Sequence, residues 1–312
     1  MGAENQKIYD MIIIGGGPGG YTAALYAARA GMKVLVVEKL SAGGQMALTH
    51  KIDNYPGFDE GVDGFELGWK MQRGAERFGA KSLQTEVRQV DLQANPKRVI
   101  TARGELLART VVIATGANPR SLGLAGEQEW TGRGVHYCAA CDGMFYRGKT
   151  VVVVGGGNSA AADALLLSRV AEKVILVHRR DSLRAEKAVA DALALAENVE
   201  FRWNSVATEL VIGERIQGLR IRNVQSGAEE QVDAQGVFIS IGRKSASDLV
   251  KDQVALDEAG YILAGESTET SIPGVYAVGD VRTKAVRQIV TAVADGAVAV
   301  HMAEVWLAEN KS

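Results

Sequence analysis

Cysteine is nearly absent: Cys138 and Cys141 are the only two in 312 residues. Two thiols are too few for a disulfide framework, and in a reducing compartment a close pair is more often catalytic or metal-binding than structural. Histidine is also scarce, with only His50, His136, His178 and His301. A closed zinc site needs four ligands, and only His136 lies near the cysteines, so zinc accounts poorly for the pair and no metal is expected. An excess of one charge is missing as well. The formal net charge is -2, which provides no global field to attract nucleic acid or an acidic membrane. No apolar run approaches the roughly 18 residues of a membrane-crossing helix; the longest, such as residues 151–154, are strand-sized. The opening MGAENQKIYD lacks the basic and apolar regions of a leader. A soluble chain in the cytosol is therefore expected.

What is present is the makeup of a packed α/β protein of about two domains: 47% hydrophobic residues, 23% charged, and 36 glycines. Residues 8–38 read as an apolar strand, a glycine turn, a helix with small residues on its packing face, and a second strand. Residues 149–180 repeat that plan, so that Gly155 falls on Gly15 and His178 falls on Glu38. A lone glycine triad is weak evidence, because ordinary tight turns use glycine too. Here each triad follows a strand and opens a helix, which is the context a dinucleotide requires. Gly15 and Gly155 suit the tight turn, Gly17 and Gly157 let backbone approach a pyrophosphate, and Gly20 or Ala160 lets helix pack on strand. The free N–H groups at the helix start then meet the phosphates.

The two copies differ where the second strand ends. Glu38 is an acceptor placed for a ribose diol, and it repels a 2′-phosphate. His178, Arg179, Arg180 and Arg184 suit a 2′-phosphate, which guanidinium groups hold bidentately; the bland alternative is a solvated basic cluster. One site should take FAD or NAD and the other should prefer NADPH to NADH. Residues 109–120 and 236–247 are apolar strands that end in glycine and read as exits from each domain. Segments 86–112 and 206–224 read as structural β-ribbons. After residue 247 the chain is too short for a third core and returns to the first domain. The expected fold is α/β, with two Rossmann-like three-layer ββα domains, the second inserted in the first: 1–118 with 246–312, and 119–245, crossed at hinges near 117–121 and 243–248.

Taken in order, GGGPGG with Glu38, AGGQ at 42–45, ATG at 114–116, CAACDG at 138–143, GGGNSA at 155–160, HRRDSLRAEK at 178–187 and GVYAVGD followed by RQ at 287–288 resemble the low-molecular-weight thioredoxin reductases over essentially the whole chain. The resemblance implies FAD in the discontinuous domain, NADPH in the inserted one, a homodimer, and thioredoxin as the disulfide substrate. It places FAD against Gly15, Gly17, Pro18 and Gly20, Glu38, Gly43, Gly44, Gln45, Asn54, Ala114, Thr115, Gly116, Gly279, Asp280, Val281, Arg287 and Gln288. NADPH falls to Gly155, Gly157, Asn158, Ser159, His178, Arg179, Arg180 and Arg184. Asp280 could instead be a plain strand cap, and Arg287 and Gln288 a solvated helix face. This chain departs from the family pattern at Ala162 and Asp163, where two acids are frequent, and at His136 and Tyr137. A related branch that draws electrons from ferredoxin lacks the HRR cluster present here.

A CxxC pair in a helical first turn has a lowered thiol pKa, and its second thiol can resolve the mixed disulfide formed by the first. Asp142 is placed to act as general acid and base for the departing thiol, which in a buried site requires a raised pKa. By resemblance Cys141 faces the flavin and Cys138 meets thioredoxin. The pair lies on the NADPH domain, so rotation at the hinges is expected between flavin-reducing and substrate-reducing states. His136 reads as a loop or core residue. Two other functions fit the same fold: a flavin-dependent dithiol oxidase, which the arginines disfavour, and a redox-sensing nucleotide-binding protein.

Overall fold

The fold is taken from a computed structural model that describes residues 7–49 and 51–310. His50 and the first six residues, on which the leader reading rests, lie outside that range. Residues 11–14 and 34–37 are all Ile, Val, Leu or Met, side chains that pack well on a pleated surface buried on both sides. They form the parallel strands Ile8–Ile14 and Val34–Glu38, joined by the helix Pro18–Arg29. The sheet runs in the order Lys81–Gln84, Val34–Glu38, Ile8–Ile14, Gly104–Ile113, Lys97–Thr101, Val87–Asp91. Its last two strands join antiparallel, as a ribbon. Val275–Ala277 returns from the end of the chain to lie parallel to the second half of Gly104–Ile113, Val275 opposite Val111.

Alternation along these strands sends successive side chains to opposite faces and so builds two cores. Met11, Ile13, Val34, Val36 and Val112 meet the alanine face of Pro18–Arg29, through Ala23, Ala24 and Ala27, and Ala299, Val300 and Ala303 of the helix Ile289–Glu309. Ile12, Ile14, Leu35, Val37, Val111 and Ile113 meet the ribbon residues Val90, Leu92 and Val99 and the later residues Val250, Ile262 and Ile272. Each fully buried aliphatic side chain contributes on the order of 1.5–3 kcal/mol.

The same arrangement recurs between residues 119 and 243. Val199–Arg202, Lys173–Val177, Thr150–Val154, Gly236–Ile239 and Val135–His136 form an all-parallel sheet in that order. Val151, Val153, Val174 and Leu176 pack on Ala160, Ala161, Ala164 and Leu167 of the helix Asn158–Ser168. Val152, Val154, Ile175 and Val177 pack on an antiparallel sheet of Ser205–Ile212, Ile216–Asn223 and Glu229–Asp233. Each half is thus a three-layer ββα unit. The chain divides into Met1–Asn118 with Lys244–Ser312, and Pro119–Arg243. The two crossing segments, Ala117–Pro119 and Arg243–Ser245, pair as a two-stranded sheet.

The helix Ile289–Glu309 is long and apolar enough, by length and composition, to cross a membrane, with a mean hydropathy of 1.3. Counting unbroken apolar runs misses it, because Asp295, Gly296 and His301 interrupt the run without lowering the average much. In the fold one face of it is buried, through Ala292, Asp295, Gly296, Ala299, Val300, Ala303 and Leu307.

Candidate active site and nucleotide cradles

The first cradle forms where Ile8–Ile14 turns into its helix. Gly15 has φ +108, and a Cβ there would sit 2.4 Å from the Ala114 carbonyl oxygen, so the turn requires glycine. Gly17 is the N-cap without a side-chain cap and Pro18 opens the helix, leaving the first-turn N–H groups uncapped. A Cβ on Gly17 would meet nothing within 4 Å, so backbone there is open to a ligand. Glu38 reaches the turn: its two oxygens accept from Gly16 N–H at 2.6 Å and Leu40 N–H at 2.9 Å. It therefore stiffens the loop and still has lone pairs to offer.

Distant segments of the same unit converge on this turn. Gly43 N–H donates to the Gly16 carbonyl at 2.8 Å, and Gly44 lies against Gly17. Ala114 N–H bonds Ile14 O at 2.8 Å, Thr115 Oγ1 donates to Ala246 O at 2.7 Å, and Ala246 N–H bonds Gly116 O at 2.9 Å. The Asn54 amide donates to Gln288 Oε1 at 3.1 Å across 234 residues of chain, and the Gln45 amide donates to Asn118 Oδ1 at 2.9 Å. Gln288 also caps the helix Ile289–Glu309 in a capping box with Thr291. Arg287 stacks over Tyr261 at 4.0 Å and donates to the Arg282 carbonyl at 3.3 Å, so its guanidinium is fixed rather than free on a helix face. Gly279, Asp280 and Val281 form a one-turn 3₁₀ segment.

That segment hangs on a cluster the motifs do not reveal. Asp295, 6% exposed, accepts from Gly279 N–H at 2.8 Å, from Arg282 Nη2 at 2.7 Å and from Lys284 Nζ at 2.7 Å. Burial pushes the Asp295 carboxyl up, but the bonds from Arg282, Lys284 and Gly279 outweigh it and hold the carboxyl below the usual range. Asp295 lies 15 residues beyond the GD pair on an alanine-rich helix, and only the tertiary fold brings it back to Gly279.

The second cradle repeats the first with different chemistry. Gly155 has φ +153, and a Cβ would meet the Ser240 carbonyl at 2.3 Å. Gly157 is an uncapped N-cap with open space above it, and Asn158 and Ser159 are exposed at the helix start. Asn158 Oδ1 accepts from Glu186 N–H at 2.7 Å, and Arg184 N–H donates to Gly156 O at 2.8 Å, so the arginine-bearing loop is tied back to the turn. Arg179, Arg180 and Arg184 are exposed, and none pairs with an acid among the described residues. His178 differs from them. Its ring is 4% exposed and fills the space a Cβ on Gly156 would need. Burial, then Arg179, Arg184 and Arg180, lowers its pKa, so it packs as a neutral ring while the arginines carry the charge.

Cys138 and Cys141 are joined as a disulfide with Cα atoms 5.3 Å apart. Cys138 is the N-cap of the four-residue helix Ala139–Asp142, and its carbonyl accepts from Cys141 N–H at 3.2 Å and Asp142 N–H at 3.1 Å. Asp142 is 8% exposed, with its Oδ2 3.0 Å from His136 Nδ1. Asp163, noted in the sequence only as a departure, takes part here: its carboxylate accepts from Ser240 Oγ and from the Ala139 N–H, anchoring the first turn of the redox helix. Burial raises the Asp163 pKa, and Ser240, Arg243 and the Ala139 N–H oppose that rise. Tyr137 is anchored separately, donating its hydroxyl to the buried Glu127.

Comparison with known proteins matches this geometry. The family described as pyridine nucleotide-disulphide oxidoreductase matches residues 9–296. The chain belongs to the pyridine nucleotide-disulphide oxidoreductase family. It is 43% identical over 310 residues to a thioredoxin reductase of Listeria monocytogenes, covering 99% of this chain and 97% of that protein. It is 44% identical to a bifunctional thioredoxin reductase/thioredoxin of Mycobacterium leprae, covering 99% of this chain and 68% of that protein. Among solved structures, the thioredoxin reductase of Streptococcus pyogenes superposes with a TM-score of 0.91 at 43% identity, covering 97% of this chain and 99% of that one.

Proposed function

We propose that the chain is an NADPH-dependent thioredoxin-disulfide reductase. FAD is held by the unit that opens the chain, NADPH by the unit Pro119–Arg243, and the Cys138–Cys141 disulfide relays two electrons to a thioredoxin. The observation that carries this reading is the disulfide itself, closed between the chain's only two cysteines at the start of a short helix. The relatives' printed names supply thioredoxin as the substrate. The open backbone above Gly17 and Gly157 fits two dinucleotides. Glu38 favours a ribose diol in the first, and Arg179, Arg180 and Arg184 favour a 2′-phosphate in the second. Gly43, Gly44, Gln45, Asn54, Thr115, Asp280, Arg287 and Gln288 complete the first site. Flavin, once bound, supplies two-electron transfer between a nicotinamide and a disulfide.

In the dithiol form, Cys138 attacks the partner's disulfide as a thiolate, Cys141 resolves the mixed disulfide, and Asp142 holds the proton that moves between them. Met144 and Phe145 keep apolar surface in solvent, 53% and 38% exposed, just beyond the pair, as a protein substrate requires. Rotation about the crossings Ala117–Pro119 and Arg243–Ser245 lets one disulfide serve both electron donor and partner. A crosslink pinning those crossings without loss of turnover would remove the rotation from this scheme. A cytosolic location and a homodimer belong to the same reading, and the mass in solution tests the dimer. The deciding experiment is anaerobic: NADPH should bleach the bound flavin and oxidised thioredoxin should restore its colour. Rapid oxygen uptake with dithiols, or tight nucleotide binding without turnover, would point to the oxidase or the sensor instead.

A further inference from the structure

We infer that His136 is a positioning residue for the redox pair: its imidazole and the Asp142 carboxylate form a buried acid–base dyad that holds the proton exchanged with the thiols, with Tyr146 fixing the ring. The inference rests on the dithiol chemistry proposed above. His136 is 3% exposed, and its strand pairs it with Phe238. The ring stacks on Phe238 at 5.1 Å between centroids and meets the edge of Tyr146 at 5.2 Å. Its two nitrogens end on two oxygens. Nε2 lies 2.6 Å from the Tyr146 hydroxyl, and Nδ1 lies 3.0 Å from Asp142 Oδ2. The second approach is bent away from a hydrogen bond, so Nδ1 is a buried nitrogen with no bond of its own beside a carboxylate.

Two acceptors 3.0 Å apart in a buried site repel unless a proton lies between them. That proton can sit on the imidazole or on the carboxylate. Burial, then the charge of Asp142, pushes the Tyr146 hydroxyl up to about 12. It stays protonated at neutral pH and can donate to Nε2 or accept from Nε2–H, which leaves Nε2 satisfied in either tautomer. The other charged groups around the dyad are Lys149, whose Nζ lies 5.4 Å from the Tyr146 ring centre, and Asp163 at the Ala139 N–H.

Cys138 has formed a bond to one sulfur of a protein disulfide, and the other has left with the electron pair. Cys141 S–H then gives its proton to the dyad as its sulfur attacks Cys138. The bond between Cys138 and the partner breaks, and the second partner thiolate leaves. Two electrons pass from the dithiol to the partner, the Cys138–Cys141 disulfide reforms, and the dyad returns its proton to the leaving thiolate or to water.

The test uses purified holoprotein reduced with dithiothreitol, and follows iodoacetamide alkylation of each cysteine against pH by mass spectrometry. The Cys141 profile of the native chain should contain a second ionisation that His136→Gln removes. The midpoint should move by about one unit, or about tenfold in thiolate fraction. Asp142→Asn should produce the same change, and the double variant no more than either single one. Superimposable profiles for native and His136→Gln, or additive effects, would overturn the dyad. If His136→Gln fails to fold, nitrogen NMR of the native ring decides: a tautomer or titration that differs between oxidised and reduced protein supports the dyad, and an unchanged ring refutes it. None of these readouts needs thioredoxin or nucleotide. Absence of thioredoxin turnover in the native protein therefore sinks the proposed function without touching this result.

Discussion

Replacing Cys138 or Cys141 by serine removes one sulfur and leaves both glycine turns untouched. Either variant should retain flavin that NADPH still bleaches, while thioredoxin reduction falls to background; residual thioredoxin turnover comparable to native would refute the exchange. Arg179 and Arg180 stand exposed with no acid paired to them among the described residues. Their charge is thus available to a ligand rather than committed to the fold. Changing both to alanine should raise the NADPH concentration needed for half-maximal rate by about tenfold or more, since a hydrogen bond to a charged group contributes about 1.5–3 kcal/mol. Weak NADH use should hardly change, and equal losses for both nucleotides would argue against a 2′-phosphate site. His178 belongs to a different category although it sits in the same HRR run, because its ring is packed against Gly156 and held neutral by burial.

Between elements, a close crossing joins Pro18–Arg29 to Ile289–Glu309. A Cβ at Gly296 would lie 2.4 Å from the Gly19 carbonyl and 2.9 Å from the Ala23 nitrogen. Both are backbone atoms that cannot swing aside. Gly296→Ala should cost about 1–3 kcal/mol by overpacking, read as a lower urea midpoint at unchanged slope. On the same helix Asp295 binds the Gly279 turn, Arg282 and Lys284. Its folded pKa is depressed, so its stabilisation is present above the unfolded carboxyl pKa and is lost as pH falls through the folded value. Asp295→Asn should therefore be less stable by about 3 kcal/mol at neutral pH. The gap from native should close in acid, and a gap independent of pH would contradict the assignment.

At the scale of the whole molecule, each unit has its own central sheet and its own buried apolar clusters. Unfolding should then not be a single two-state event. Calorimetry should resolve two transitions, and NADP⁺ at 100-fold over its dissociation constant should raise only one of them, by about 2.7 kcal/mol. A single transition that shifts as a whole would instead mean that the units unfold together.

Strand, glycine turn, helix and strand at 8–38 and 149–180 could be read directly, because period, β-branching and glycine placement are local properties of the chain. The redox pair could be read for a similar reason: two scarce thiols at CxxC spacing must lie within one turn of each other. The sequence by itself therefore determined the duplicated α/β plan and the dithiol. Only the tertiary structure decided which distant residues support them. His136 and Asp142 are joined to Tyr146 by the pairing of Val135–His136 with Gly236–Ile239 and the turn that follows the redox helix. Asp163 reaches the Ala139 N–H from another helix, and Asp295 reaches Gly279 from an apolar one. Such pairs leave no periodic trace in the sequence, because their partners are set by sheet order and helix crossing. The helix Ile289–Glu309 is a further case: its composition would suit a membrane span, and its tertiary packing buries one face, through Ala299, Val300 and Ala303, against the alanines of Pro18–Arg29.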